Sequence, residues 1–133
     1  MEATQESLLK LRAFHMGRIL LLRQNEISLI DVDEKNWPDI VCSLLEKSQD
    51  IGRLFGIEVQ GFRHAGDISL SKLKESTEHF KRFAFPVFFI CFEMDHGYIL
   101  HNDALKVISP ESLNFMIERV REWYRDHAEA RAA

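Results

Sequence analysis

Cysteine is scarce in this chain: two in 133 residues. That excludes a disulfide scaffold. Both lie in apolar surroundings, Cys42 in IVCSLL and Cys91 in FFICFE. A small thiol packs there like a hydrophobe, so both are expected to be reduced core residues. Proline and glycine are sparse too, at three and six, which leaves no composition for a linker or low-complexity block. Long hydrophobic runs are absent. The most apolar stretch, Phe83–Phe92 (FAFPVFFICF), contains a proline and is far shorter than the about 20 residues a bilayer crossing needs. The opening MEATQESLLK is acidic and polar, unlike a secretory signal. A cytoplasmic protein without a membrane role is expected. Excess positive charge is also missing: the net charge is -4. That argues against a general nucleic-acid coat protein, although a local basic surface is compatible with it.

What is present suits a packed core. The chain is 46% hydrophobic and has ten phenylalanines, and its length matches one domain over 1–133. Leu8, Leu11, Phe14, Ile19 and Leu22 give Glu6–Gln24 a wide apolar helical face. EISLIDV, at 26–32, alternates as a strand, and 33–36 reads as a turn. Pro38-Asp39 then opens IVCSLLEK, a second strand. With a turn at Ser48–Gly52, RLFGIEVQGFR (53–63) makes a hairpin with it. Period two in that strand sends Phe55, Ile57 and Val59 one way and Leu54, Gly56, Glu58, Gln60 and Phe62 the other.

Ser69–Phe83 has helical spacing, and Phe85–Phe92 is apolar on both faces, as in a central buried strand. Asp95-His96-Gly97 signals a turn, with a short strand at Tyr98–Leu100. Ser109-Pro110-Glu111 starts a C-terminal helix over 110–127, with 128–133 as a fraying tail. The expected architecture is α/β: a single mixed sheet of about five strands with flanking helices.

The hairpin brings chemistry together. With its turn near Gln49, Asp39 lies opposite residues 58 to 60, and Glu58 and Gln60 share a face. Two carboxylates and an amide then converge at the open end. Such a donor set suits a hard divalent cation such as Mg²⁺, which can polarise a phosphate and acidify a bound water. An ionised Glu58 on a face shared with Leu54 and Phe62 is costly unless paired, and Gly56 is expected to leave room beside it. The plainer alternatives are a turn role for Asp39 and a solvent-facing Glu58.

Pro38-Asp39 followed by Glu58-Val59-Gln60 resembles the PD-(D/E)xK nuclease superfamily, and the likeness covers roughly residues 6 to 100 on short motifs. More narrowly, Gly56–Leu100, with GIEVQGFR, a helix and FAFPVFFICFEMDHGYIL, resembles its small DUF4365-type branch. The resemblance implies a restriction-endonuclease-like α-β-β-β-α-β core, the order read above. It makes Asp39 and Glu58 metal ligands for Mg²⁺ and the Val59 carbonyl a third ligand. It also makes Asp39, Glu58 and Gln60 the catalytic set. Gln60 departs from the pattern, because that position usually carries a lysine. An amide can orient water but brings no charge to a phosphorane-like transition state. Lys72 or Lys74 on the next helix is a candidate for the missing cation, and Glu26 for an additional acid.

The implied function is phosphodiester hydrolysis on DNA or RNA. Arg63, Lys72 and Lys74 belong to a strip (61–82) with five basic and three acidic side chains that could meet a phosphate backbone. His64, after Arg63, could touch phosphate, and an ordinary surface histidine is the plainer reading. Two other readings stand beside this one: a nuclease-fold module that binds without cutting, and a small inhibitor or immunity-type interaction protein. Trp123 and Tyr124 could anchor a homodimer. The six histidines lack the spacing of a zinc site, and there is no glycine-rich phosphate loop or nucleophile elbow.

Overall fold

The computed structural model describes residues 2–32, 37–47, 49–64, 69–81, 83–101 and 104–127. The turn expected at 33–36, the tail at 128–133, and Asp67 and Arg82 of the basic strip lie outside the described residues. In chain order the elements are α1 (Glu2–Leu22), β1 (Ile27–Ile30), β2 (Ile40–Glu46) and β3 (Gln49–Phe62). Then come α2 (Leu70–Phe80), β4 (Val87–Glu93), β5 (His96–His101), β6 (Ala104–Val107) and α3 (Pro110–Asp126). The six strands form one sheet in sequence order. Every neighbouring pair is antiparallel except β3–β4, which is parallel and joined through α2. A parallel pair needs such a crossover, because a tight turn can only reverse the chain.

The α/β class and the single mixed sheet match expectation, with six strands in place of about five. The additional strand is β6, a short edge strand of exposed or half-buried residues. His96, expected in a turn, starts β5. The reversal falls one step earlier, where Met94 takes a φ of 52°.

Each face of the sheet buries its own cluster. On one, Ala13 and Leu21 of α1 and Leu113, Met116, Ile117, Val120 and Tyr124 of α3 cover Phe55, Ile57, Val59, Ile90, Phe92 and Ile99. On the other, Leu73 of α2 meets Phe89 and Cys91, with Phe62, Phe80, Leu100 and Leu105 around them. The period-two reading of β3 therefore holds: Phe55, Ile57 and Val59 are fully buried under α1 and α3. Each such side chain contributes on the order of 1.5–3 kcal/mol. Cys42 and Cys91 are buried free thiols in the two clusters, and burial pushes them up to about 12 and about 11.

The helix starts follow local chemistry. Ser109 accepts from the Ser112 amide at 3.1 Å while the Ser112 hydroxyl accepts from the Ser109 amide at 2.9 Å, and Pro110 follows the cap. The two residues named as a dimer anchor differ in placement. Tyr124 is buried and donates to the Leu54 carbonyl at 2.6 Å, and Trp123 stacks on His127 at 4.0 Å. No helix among the described residues is long and apolar enough to cross a membrane.

The hairpin differs from expectation in one way that positions the site. Its turn is not Ser48–Gly52. The chain reverses at Lys47, with φ 51°, and β3 is already extended at Gln49. Next to the turn, Glu46 pairs with Gln49 and Leu45 with Asp50. Beyond Leu44, Ser43 pairs with Leu54 and Ile40 with Ile57. Leu44 alone therefore faces residues 51 to 53, a bulge in β3 where Gly52 adopts a φ of 70° that other residues avoid. Carried one step past Ile40–Ile57, the register sets Asp39 across from Glu58. Without the bulge it would set Asp39 across from Gly56.

Candidate active site

Asp39 and Glu58 meet where β2 begins and β3 loses its neighbour. The Asp39 amide donates to Glu58 Oε1 at 2.9 Å, and the Val59 amide donates to Asp39 Oδ2 at 2.9 Å. Each carboxylate thus caps a main-chain N–H at the strand edge, which meets the demand of partly buried amides for a partner. The Val59 carbonyl lies on the same edge. Pro38, which follows in the register, has no N–H to offer it.

A third group arrives from α1. Lys10 Nζ lies 2.6 Å from Asp39 Oδ2 and 2.6 Å from the Val59 carbonyl oxygen. Gly61 makes this reach feasible. A Cβ there would fall 2.5 Å from the Leu9 carbonyl oxygen and 3.1 Å from Ala13 Cβ. Only glycine lets the start of α1 lie this close to β3, and Leu9 is the residue before Lys10.

Electrostatics set the two acids apart. Burial, and then the negative charge of Asp39, pushes the Glu58 carboxyl up from its ordinary range to about 7. The Asp39 amide and the Lys10 charge pull in the opposite direction without cancelling the rise. Asp39 is also half-buried, with 24% of its side chain exposed, and it carries the direct Lys10 contact. A cleft of about 290 Å³ lined by Phe14, Arg18, Asp31, Pro38 and Asp39, among others, opens beside Asp39. A larger cavity, about 640 Å³, lies far along the sheet between β6 and the start of α3 and includes none of these acids. Chemistry, not size, singles out the smaller one.

The other candidates fall as follows. Gln60 is half-buried on β3, two residues beyond Glu58 and on the same face. Arg63 and His64 are exposed just past the end of β3, and Lys72 and Lys74 are exposed on α2. The cation bonded to Asp39 is Lys10. Glu26 is not an additional acid of this site, because it pairs with Arg121 of α3 at 3.2 Å. Gly56 does not leave room beside Glu58 either: the space a Cβ would take is filled by the Pro38 ring at 2.4 Å and by Phe85 at 3.2 Å.

The donor chemistry here, two carboxylates and a carbonyl, is of the hard oxygen type that Mg²⁺ prefers. Two of those donors are held by the Lys10 ammonium. Among the described residues, no three His, Cys, Asp or Glu side chains converge on one point, so the carbonyl is needed to complete a set of three. No protein-family model, curated protein or solved structure matches the chain.

Proposed function

We propose that this chain is a nuclease-like domain of the PD-(D/E)xK type, with a restriction-endonuclease-like core, that acts on nucleic acid as a Mg²⁺-dependent phosphodiester hydrolase. The observation that carries this reading is the placement of Asp39, Glu58 and the Val59 carbonyl on one strand edge. The order α1-β1-β2-β3-α2-β4, with β1 to β4 side by side, supports it. Asp39, Glu58 and the Val59 carbonyl would hold the ion. Mg²⁺ bound there supplies polarisation of a phosphate oxygen and a more acidic water. The Gln60 amide can orient that water by hydrogen bonding. Arg63, Lys72 and Lys74 offer charge to a phosphate backbone.

A second reading has its own observation. Gln60 is neutral and Lys10 already neutralises Asp39, as expected if the fold binds nucleic acid without cutting it. One assay separates the two. Labelled single- and double-stranded DNA and RNA are incubated with the protein in Mg²⁺ or Mn²⁺. Hydrolysis that Asp39→Ala lowers at least about 100-fold, on the scale of losing an electrostatic catalytic group, supports the hydrolase. Salt-dependent binding without cleavage supports the binding module. Binding of neither nucleic acid nor metal would refute both.

A further inference from the structure

The Lys10 ammonium stands where a divalent ion would have to stand. It touches two oxygens of different origin, Asp39 Oδ2 and the Val59 carbonyl, both at 2.6 Å. An ammonium has three hydrogens to donate, and two are used here. A Mg²⁺ ion needs its oxygen ligands at roughly 2.0–2.1 Å, so the same two oxygens cannot serve both cations. The main chain on either side of this contact is fixed: Leu9 is packed on Gly61, and Val59 is fully buried in the sheet. The Lys10 side chain is the adjustable part. It is 48% exposed and its four-carbon stem has room to swing outward into solvent.

We infer that Lys10 is an internal cation that gates this site: a divalent ion enters only by displacing its ammonium from Asp39 and the Val59 carbonyl. Lys10, rather than the acids alone, then sets the metal affinity. The inference rests on the reading of Asp39, Glu58 and Val59 as a metal-holding edge, but it concerns occupancy and not hydrolysis.

The test is Mn²⁺ binding to the full chain in the absence of nucleic acid, by calorimetry and by the loss of free-ion electron paramagnetic resonance signal. Lys10→Met keeps the apolar stem and removes the charge. Arg12→Met, on the same helix, controls for a change in net charge. Lys10→Met is expected to bind Mn²⁺ at least tenfold more tightly than the unaltered chain and than Arg12→Met. Adding Asp39→Asn should abolish the gain, and Lys10→Arg should not produce it. Equal affinity in Lys10→Met and the unaltered chain overturns the inference. So does a gain that survives Asp39→Asn, or no measurable Mn²⁺ in any variant. If Lys10→Met does not fold by circular dichroism, Lys10→Gln takes its place with the same expectations. An unaltered chain that binds Mn²⁺ but cuts nothing would sink the hydrolase reading and leave the gate intact.

Discussion

Two clusters tie a helix to the sheet with one cation and two carboxylates. In one, Lys10 of α1 meets Asp39, which is interlocked with Glu58. In the other, Arg121 of α3 meets Glu26, beside β1, and Glu118, one turn back on α3. Their charges are identical in number and their physics is not. Glu26 and Glu118 are about half exposed, and neither accepts a main-chain amide among the described contacts. Burial pulls the Arg121 guanidinium down, and the bonds and charges of the two acids more than offset it, so its pKa rises. Around Lys10 the acids are hydrogen-bonded to the backbone and half-buried, and Glu58 is held up near 7. An exposed cluster adds little to stability. A half-buried one, locked to main-chain amides, stores an electrostatic cost that chemistry can use.

The contrast can be broken first by geometry. Gly61→Ala drives a Cβ into the Leu9 carbonyl. It should destabilise the protein by about 3 kcal/mol in urea unfolding, as overpacking does, and pull Lys10 away from Asp39 without altering any charge. Gly17→Ala is the control. Its Cβ would find Ile40 and Val59 at 3.4 Å, and its cost should stay below about 1 kcal/mol. Equal effects at the two glycines would mean that the close approach at Gly61 does not hold the first cluster in place.

Titration sharpens it next. The folded state raises the Glu58 pKa above its ordinary value of 4.5 to about 7, so it holds that proton more firmly than the unfolded chain. Stability from this group therefore falls as pH rises from about 4.5 through about 7 and is level beyond. Glu58→Gln keeps an acceptor for the Asp39 amide and removes the charge. Allowing for partial solvation, it should stabilise the protein by about 2 kcal/mol at pH 8 and have almost no effect at pH 4. Urea unfolding at the two pH values measures the difference, and a pH-independent effect would contradict the assignment. The smallest change is expected at the exposed cluster. Arg121→Ala should cost about 0.5 kcal/mol in low salt, and most of that should vanish in 0.5 M NaCl.

Much of this was legible in the sequence. The α3 start is carried by Ser109-Pro110, and the alternation of β3 announces its buried face. The meeting of Asp39 and Glu58 was also foreseen, although by a route the structure replaces. A turn placed too late gave nearly the register that an earlier turn plus a bulge in fact produces. Lys10 is not legible there. It lies 29 residues from Asp39, and a single lysine on a helix carries no local signal. The clue was Gly61, a glycine inside a strand, which often marks a close backbone approach. The strand β6 is not legible either, because four residues at an exposed edge leave no alternation to read.

The bulge opposite Leu44 makes the acid pair depend on residues well away from it. Straightened, the same arm of the hairpin would slide by two places. Phe55, Ile57 and Val59 would keep their face, because an even slip preserves the side-chain alternation, yet Gly56 would come to rest beside Asp39. Side-chain alternation alone therefore permits two alignments, and the kink at Gly52 accompanies the one in which the carboxylates are neighbours.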